Sequence, residues 1–160
     1  MKPPETHEVK DRIHDVLDVQ SIKDYLDPNG YGDDRINVMN SNFEDAPEPQ
    51  GESWSRLVIM DKIGLFNIRD YEDKTISHEV YIRCDTMPPN DDDSGFEVDS
   101  FLQRLQTQIN EILKNQFFNL DRAKMIMPLS RVERSSTVYR SDRGFYYNGS
   151  TFKTFLASYE

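Results

Sequence analysis

The sequence predicts an α+β fold in which an antiparallel sheet packs against an N-terminal helix and a central amphipathic helix, with a C-terminal hairpin. Two segments carry apolar residues at helical spacing, and other segments alternate apolar and polar residues as strands do. These elements follow in the order helix, strands, helix, strands, with turn-rich segments between them. A chain of 160 residues has the size of one domain, so we expect residues 1–160 to form a single domain.

The N-terminal helix is predicted at residues 6–26, behind a flexible tail at residues 1–5. Thr6 is a suitable N-cap, and Glu8 lies in the first turn, where a carboxylate stabilises the positive end of the helix dipole. Apolar residues then recur at helical spacing, namely Val9, Ile13, Val16, Leu17, Ile22, Tyr25 and Leu26. The turn sequence at residues 27–30, Asp-Pro-Asn-Gly, ends this helix.

Three strands are predicted between the two helices. The first is short, at residues 35–39, and a Pro-rich extended loop at residues 40–51 separates it from a buried strand at residues 56–60. The third strand, at residues 75–85, alternates throughout, with Ile76, His78, Val80, Ile82 and Cys84 on one face and Ser77, Glu79, Tyr81, Arg83 and Asp85 on the other. A second extended loop, at residues 86–97, follows it.

The central helix is predicted to begin near Ser100 and to end near Asn115. Ser100 and Gln103 have the spacing of a capping box. The apolar face of this helix consists of Leu102, Leu105, Ile109, Ile112 and Leu113. After it we predict strands at residues 124–127 and 132–140, a turn at residues 141–144, and a final hairpin. The sequence Asn148-Gly149 predicts the turn of that hairpin, because Asn-Gly favours the two-residue turns that join antiparallel strands.

The net charge of −10 is distributed unevenly along the chain. Residues 1–99 carry 10 Lys and Arg against 24 Asp and Glu, a balance of −14, whereas residues 100–160 carry 9 against 5, a balance of +4. A net-acidic chain disfavours sequence-independent binding to nucleic acid, because phosphate backbones repel it. An acidic part and a basic part on one chain suit head-to-tail contact between identical copies. Two ordinary solvated faces are the alternative interpretation.

Several protein classes are excluded by composition. The single cysteine, Cys84, cannot form an intrachain disulfide, so a disulfide-built secreted scaffold is excluded and synthesis in a reducing cytosol is expected. No apolar run approaches the roughly 20 residues that span a bilayer, so we expect no membrane association. No apolar segment follows the N-terminus as a signal peptide requires.

Motifs for catalysis and metal binding are incomplete. The His-Glu pairs at residues 7–8 and 78–79 lack the second histidine of a zinc-protease helix. The acidic loop at residues 90–95 has Phe101 where a calcium loop requires glutamate. Cys84 lies on the apolar face of a strand, where a cysteine is an inert packing group. We therefore expect no enzyme activity, no catalytic residue, no metal and no cofactor.

A cluster of basic and aromatic residues in the C-terminal part is the main candidate for a binding surface. It consists of Arg131, Arg134, Arg140 and Arg143, interleaved with Tyr139, Tyr146 and Tyr147. Arginine and tyrosine are common in protein interfaces and also in nucleic-acid grooves. Because the chain is net acidic, we interpret the cluster as a subunit interface. The acidic candidates for the same interface are Asp91, Asp92 and Asp93.

The order of elements resembles the tail-terminator (tail-completion) proteins of long-tailed phages and the related head-to-tail connector rings of phage necks. The elements that carry the resemblance, within residues 6–157, are the N-terminal helix, the strands around 56–60 and 77–82, the helix at 101–113, and closing strands that begin at 132–134 and end at 147–156. The long loops at 40–51 and 86–97 depart from the usual brevity of that family, and they leave open which ring this is.

The resemblance implies a structural virion protein that is synthesised in the host cytoplasm and acts in genome ejection. Its partners would be identical subunits in a ring of six or twelve copies, with portal or adaptor proteins on one side and tail proteins on the other. DNA would pass through the acidic channel without specific binding, and the long loops would reach adjacent rings.

Two alternatives of other classes stay open. An acidic inhibitor that mimics DNA would carry carboxylates in a stripe, and Asp11, Asp15 and Asp18 fall on one face of the first helix. A solvated helix face explains the same pattern, and the basic C-terminal part disfavours mimicry. An enzyme subunit with an unrecognised pair of carboxylates is the second alternative, because carboxylates are plentiful in this chain.

Overall fold

The computed structural model describes residues 7–26, 36–40, 53–61, 75–88 and 97–157. In chain order, the elements are α1 (His7–Leu17), α2 (Gln20–Leu26), β1 (Ile36–Asn40), β2 (Trp54–Asp61), β3 (Thr75–Met87), α3 (Val98–Leu113), β4 (Lys124–Met125), β5 (Ser130–Arg134), β6 (Val138–Arg140) and β7 (Phe145–Ala157). Helices and a largely antiparallel sheet confirm the predicted α+β class. The predicted tail at 1–5, most of the loop at 40–51 and the centre of the loop at 86–97 lie outside the described residues.

The seven strands form one sheet with the order β1-β2-β3-β7-β4, and β5 and β6 also pair with β7. All pairings are antiparallel except that of β1 with β2, which is parallel. A parallel pair requires a connection of about a dozen residues or more, and residues 41–53 supply a connection of that length. The predicted antiparallel sheet is confirmed for the other pairs, and the pair of β1 with β2 is an addition that the sequence did not predict.

The hydrophobic core lies between the helices and one face of the sheet. Its buried members include Val9, Ile13, Leu17, Leu57, Ile59, Ile76, Val80, Ile82, Cys84, Leu102, Leu105, Ile109, Leu113, Phe152 and Leu156. The alternation predicted for the third strand is confirmed, because its apolar set faces this core. On the opposite face of the sheet, Val58 and Met60 are also buried, against Tyr81.

The N-terminal helix is interrupted, and the prediction of one continuous helix is wrong. A bend at Asp18 and Val19 separates α1 from α2. Val9, Ile13 and Leu17 are buried at intervals of four, but a fourth position at that interval would place a polar residue against the core. The bend instead brings Ile22 and Leu26 of α2 to the core, where both are buried.

Helix α3 begins earlier than predicted, and the capping box is wrong. Glu97 is the N-cap residue, and its side chain makes no hydrogen bond to the backbone of the helix. Ser100 lies within the first turn, where its hydroxyl donates to Glu97 Oε2 at 3.2 Å, and Gln103 donates instead to Asp99 Oδ2 at 3.0 Å. Val98 packs against the core, and this contact favours the additional residues of helix.

The hairpin turn predicted at Asn148-Gly149 is absent, because β7 runs through both residues as a 13-residue strand paired along β3. The chain reverses instead at residues 141–144, where β6 and β7 form the C-terminal hairpin and Gly144 adopts a positive φ of 77°. Two interactions keep residues 148–149 extended. The Asn148 side chain accepts a hydrogen bond from Gln106 of α3, and Gly149 leaves room for the Tyr81 ring.

Other strand limits also differ from the prediction. The predicted strand at residues 132–140 divides into β5 and β6, because Ser135 between them bonds to the backbone of Gly149 with its amide and its hydroxyl. Strand β3 continues through Thr86 and Met87, which were predicted as loop. Among the described residues, no helix has the length and apolar character needed to cross a bilayer.

Candidate subunit interface

One edge of the sheet is formed by residues 124–140, which we call the edge strip. It contains β4, β5 and β6, which pair one after another along the same side of β7. Within the described ranges, β5 and β6 form strand pairs with β7 alone. A strand of this kind presents backbone N–H and C=O groups on its outer side, and these groups can pair with a further strand.

The edge strip also concentrates exposed apolar side chains. Eight large hydrophobic side chains are exposed among the described residues, and five of them lie in the strip: Ile126, Met127, Val132, Val138 and Tyr139. Three of the five, Met127, Val132 and Tyr139, are 51–52% exposed. Exposed apolar side chains concentrated along one edge of a sheet, in contrast to single scattered ones, favour an interaction site.

The predicted arginine cluster divides into two groups, and the first lies on β5. Arg131 is opposite Phe152 and Arg134 is opposite Ser150, with a β-bulge that leaves Val132 without a partner on β7. Arg134 is exposed. Arg131 Nη1 is buried and makes no hydrogen bond to any described residue. Since buried donors are almost always satisfied in folded proteins, an acceptor from another chain would suit this atom.

The second group surrounds the hairpin between β6 and β7. Arg140 donates two hydrogen bonds to Asp142, at 3.2 and 2.9 Å, and these bonds raise the pKa of Arg140 and lower the pKa of Asp142. Arg140 and Arg143 lie 5.6 and 6.0 Å from the centre of the Phe145 ring. Tyr139 packs on Tyr146, with 4.7 Å between ring centres.

A buried ion cluster, not predicted from the sequence, lies on the sheet face opposite the helices. Arg56 and Asp85 are directly opposed on β2 and β3, and both are 0% exposed. Arg56 Nε donates to Asp85 Oδ2 at 2.7 Å, and Arg83 donates to both carboxylate oxygens at 2.7 and 2.9 Å. Burial lowers the pKa of Arg56, whereas the Asp85 carboxylate opposes this shift. Asp85 therefore compensates two buried guanidinium groups.

Phe145 connects the buried ion cluster to the hairpin. Its ring is 0% exposed, packs 5.4 Å from the Trp54 ring, and lies 5.5 Å from Arg56 and 5.9 Å from Arg83. The same ring contacts both arginines of the hairpin. Cations attract the faces of aromatic rings, more strongly where water is excluded. The ion cluster thus holds the hairpin, and with it the end of the edge strip, against the centre of the sheet.

A second polar network lies on the opposite, helix-facing side of the same strands. Gln106 of α3 is 0% exposed and donates to Asn148 Oδ1 at 3.1 Å and to Cys84 Sγ at 3.2 Å, while its own oxygen accepts from Ser150 at 2.5 Å. Cys84 is completely buried, as predicted, and burial raises the pKa of its thiol well above the ordinary value. These hydrogen bonds hold α3 at one position along β3 and β7.

Replacement of Gln106 by alanine tests this network. We expect Gln106→Ala to lower the free energy of unfolding by about 2 kcal/mol, because it leaves Asn148 and Ser150 buried without their partner. Urea denaturation measures the difference. Gln103→Ala on the exposed side of the same helix is the matched control and should change stability by less than about 0.5 kcal/mol. Equal effects of the two changes would show that the network contributes nothing beyond helix propensity.

The acidic interface candidates, Asp91, Asp92 and Asp93, all lie outside the described residues. On α1 and the following bend, Asp15 lies 3.6 Å from His14, and Asp18 lies 3.4 Å from Lys23, so this acidic stripe has basic neighbours. The described part of the chain contains no group of three or more His, Cys, Asp or Glu side chains placed to hold a metal ion.

Comparison with known proteins adds no family to these observations. No protein-family model matches the chain, and a search of curated proteins gives no match either. A function for this chain must therefore be inferred from its surfaces, its charge distribution and the order of its elements.

Proposed function

We propose that this protein is a structural virion subunit that forms an oligomeric ring in the neck or tail of a phage. The ring would join portal-side proteins to the tail and surround the DNA channel. The observation that carries the proposal is the edge strip, where an open sheet edge, exposed apolar side chains and arginines coincide. The order of elements is similar to that of phage ring proteins, and this similarity is the reason for placing the ring in a phage.

The charge distribution supports contact between identical copies. The edge strip contains four basic residues, Lys124, Arg131, Arg134 and Arg140, and one acidic residue, Glu133, a balance of +3. Residues 1–99 carry the balance of −14. A basic surface that meets the acidic part of the next copy forms a head-to-tail contact, which closes into a ring when the rotation between copies divides a full turn.

The overall acidity supports passage of DNA without retention. A channel wall that repels phosphate gives DNA no stable binding position, whereas basic walls release counterions and bind it. The proposal places the protein in the virion, in contact with portal or adaptor proteins on one side and tail proteins on the other. Rings of six or twelve copies are the expected sizes.

Substitution within the edge strip tests the proposal. We expect Val132→Glu to raise the concentration needed for assembly at least about tenfold, since burying one valine stabilises by about 1.5–3 kcal/mol and 1.4 kcal/mol corresponds to a factor of ten. Light scattering across a concentration series, with negative-stain images of large species, measures assembly. The thermal unfolding of the variant should match that of the original protein, because Val132 is 52% exposed.

The matched control is Val19→Glu, which changes an apolar side chain that is 38% exposed outside the edge strip and should leave assembly unchanged. Closed rings that Val132→Glu disrupts would support the proposal. A protein that stays monomeric at every concentration and inhibits a DNA-binding enzyme would contradict it, and would instead support mimicry of DNA through the acidic stripe on α1.

A further inference from the structure

The β-bulge in β5 places two arginines on the same face of the sheet. Residues three apart on a regular strand point to opposite faces, but the bulge at Val132 shifts the register by one residue. Arg131 consequently lies opposite Phe152, and Arg134 lies opposite Ser150. Opposed residues share a face, and both of these β7 residues face the helices, since Phe152 belongs to the core and Ser150 binds α3. The two arginines therefore lie side by side on the helix-facing side, roughly 7 Å apart along the strand.

The described residues supply neither of these arginines with a carboxylate partner. Glu133 lies between them in sequence, but it is opposite Thr151 and so points to the other face of the sheet. The arginine–aspartate ion pairs seen in the described residues join Asp85 and Asp142 to other arginines. Two guanidinium groups thus lie on one side of β5 without a described countercharge.

One carboxylate of α3 reaches the connection between β5 and β6, but neutral groups already bind it. Asp99 Oδ1 accepts a hydrogen bond from Thr137 at 2.6 Å, and Asp99 Oδ2 accepts one from Gln103 at 3.0 Å. Each oxygen of this carboxylate is therefore engaged by an uncharged donor, and Asp99 forms no ion pair with the two arginines in the described part of the chain.

The guanidinium group of Arg131 is partly desolvated without an acceptor. Its Nη1 atom is buried and makes no hydrogen bond, while the residue as a whole is half-buried and Arg134 is exposed. A buried donor without an acceptor costs free energy, and the cost is larger for a charged group. The planar fork of an arginine matches the two oxygens of a carboxylate. The pair of arginines thus offers donors on which an oxyanion would relieve an existing cost.

We propose that Arg131 and Arg134 form a binding site for a carboxylate group of a neighbouring polypeptide, which in the proposed ring is the next subunit. The inference rests on the proposed ring and names the chemical group that the edge strip recognises. The carboxylate would accept hydrogen bonds from both guanidinium groups, including Arg131 Nη1. A carboxylate is favoured over a DNA phosphate, because a chain with a net charge of −10 repels the nucleic-acid backbone.

Substitution of Arg131 tests the site through assembly. We expect Arg131→Gln to raise the concentration needed for assembly at least about tenfold, because charge-assisted hydrogen bonds across the contact are lost. Lys124→Gln is the matched control, since it removes the same charge from an exposed position of the edge strip outside the pair. It should change that concentration by less than about fivefold. Arg131→Lys keeps the charge but lacks the planar fork, so it should recover only part of the loss.

Thermal unfolding of the unassembled protein separates this role from a structural one. Arg131→Gln should not lower the unfolding temperature, because Arg131 Nη1 has no acceptor within the chain to lose. A clear decrease would show that a carboxylate of the same chain binds Arg131, and it would overturn the inference.

Acetate, the simplest carboxylate, tests the site without assembly. Full-length protein labelled with ¹⁵N-arginine is titrated with sodium acetate and, at equal ionic strength, with sodium chloride, while NMR follows the arginine side chains. The Arg131 resonances should shift saturably with acetate alone. Arg104, which is exposed on α3, is the control and should show no saturable shift. In an Arg134→Gln variant the shift of Arg131 should weaken, because one of the two guanidinium groups is missing.

The outcomes distinguish failure of the site from failure of the ring. Assembly that Arg131→Gln and Lys124→Gln weaken equally would overturn the inference and leave the proposed ring intact. Absence of assembly at every concentration would contradict the ring, and the acetate titration would then decide the site. A saturable shift of Arg131 would support a carboxylate site, and its absence would overturn it. Saturation by a DNA duplex but not by acetate would contradict the assignment of a carboxylate.

Discussion

Replacing Asp85 with asparagine should lower the free energy of unfolding by about 3–5 kcal/mol, because the change removes the carboxylate charge that binds two buried guanidinium groups. Arg56 and Asp85 are 0% exposed, and Arg83 is 2% exposed, so water cannot replace the lost carboxylate. Asparagine has nearly the same shape and retains one oxygen acceptor, so the variant isolates charge from packing. Chemical denaturation measures the difference. A loss below about 1 kcal/mol would show that solvent reaches the cluster.

Two comparisons separate the buried charge from other causes. Asp142→Asn removes a carboxylate that also binds an arginine, Arg140, but this carboxylate is 64% exposed, so we expect almost no change in stability. The triple variant Arg56→Met/Arg83→Met/Asp85→Leu replaces the whole cluster with apolar side chains of similar size. It should be more stable than Asp85→Asn, because it removes both buried guanidinium groups together with the carboxylate that binds them.

The proposed ring assigns folding stability and assembly to different parts of the sheet. The buried ion cluster holds the β6–β7 hairpin against β2 and β3, whereas in the proposed ring the edge strip would present its apolar side chains to another subunit. Val132→Glu should affect assembly without affecting unfolding, whereas Gln106→Ala should affect unfolding first. If Val132→Glu lowered the unfolding temperature as much as Gln106→Ala does, the edge strip would be part of the core of the monomer and not an interface.

The parts of the fold that could be predicted are those defined by local periodicity. The alternation in β3 and the apolar face of α3 identify their buried sides, because each pattern repeats within one element. The arginines near the hairpin could likewise be chosen as candidates from their spacing among tyrosines. The buried pair of Arg56 and Asp85 could not be predicted in this way, since it depends on which residue of β2 lies opposite which residue of β3. Its one local signal is a charged residue at position 56 within an apolar run.

The hairpin turn predicted at Asn148-Gly149 was wrong because residues distant in sequence decide the conformation there. Asn148 binds Gln106, 42 residues away, and Gly149 lies under the ring of Tyr81, on the neighbouring strand. Local preference favours a two-residue turn by a small free energy. A buried hydrogen bond and the pairing of β7 along 12 positions of β3 outweigh that preference.

Gly149→Ala should lower the free energy of unfolding by about 3 kcal/mol, at the upper end of the cost of overpacking. Alanine in place of glycine in a strand ordinarily stabilises by about 0.5–1 kcal/mol, because it restricts the unfolded chain. Here an added Cβ would overlap Tyr81 Oη, Cζ and Cε2, far inside van der Waals contact. The Tyr81 ring must therefore leave its half-buried position.

The sign of the effect distinguishes this packing from a general glycine effect, and a double-mutant cycle measures it. In a Tyr81→Ala background the added methyl group meets no ring, so Gly149→Ala should be neutral or stabilising by up to about 1 kcal/mol. The coupling between the two positions should then be about 3 kcal/mol or more. A Gly149→Ala variant that keeps Tyr81 and is as stable as the original protein would show that residues 148–149 are not held in the extended strand beneath Tyr81.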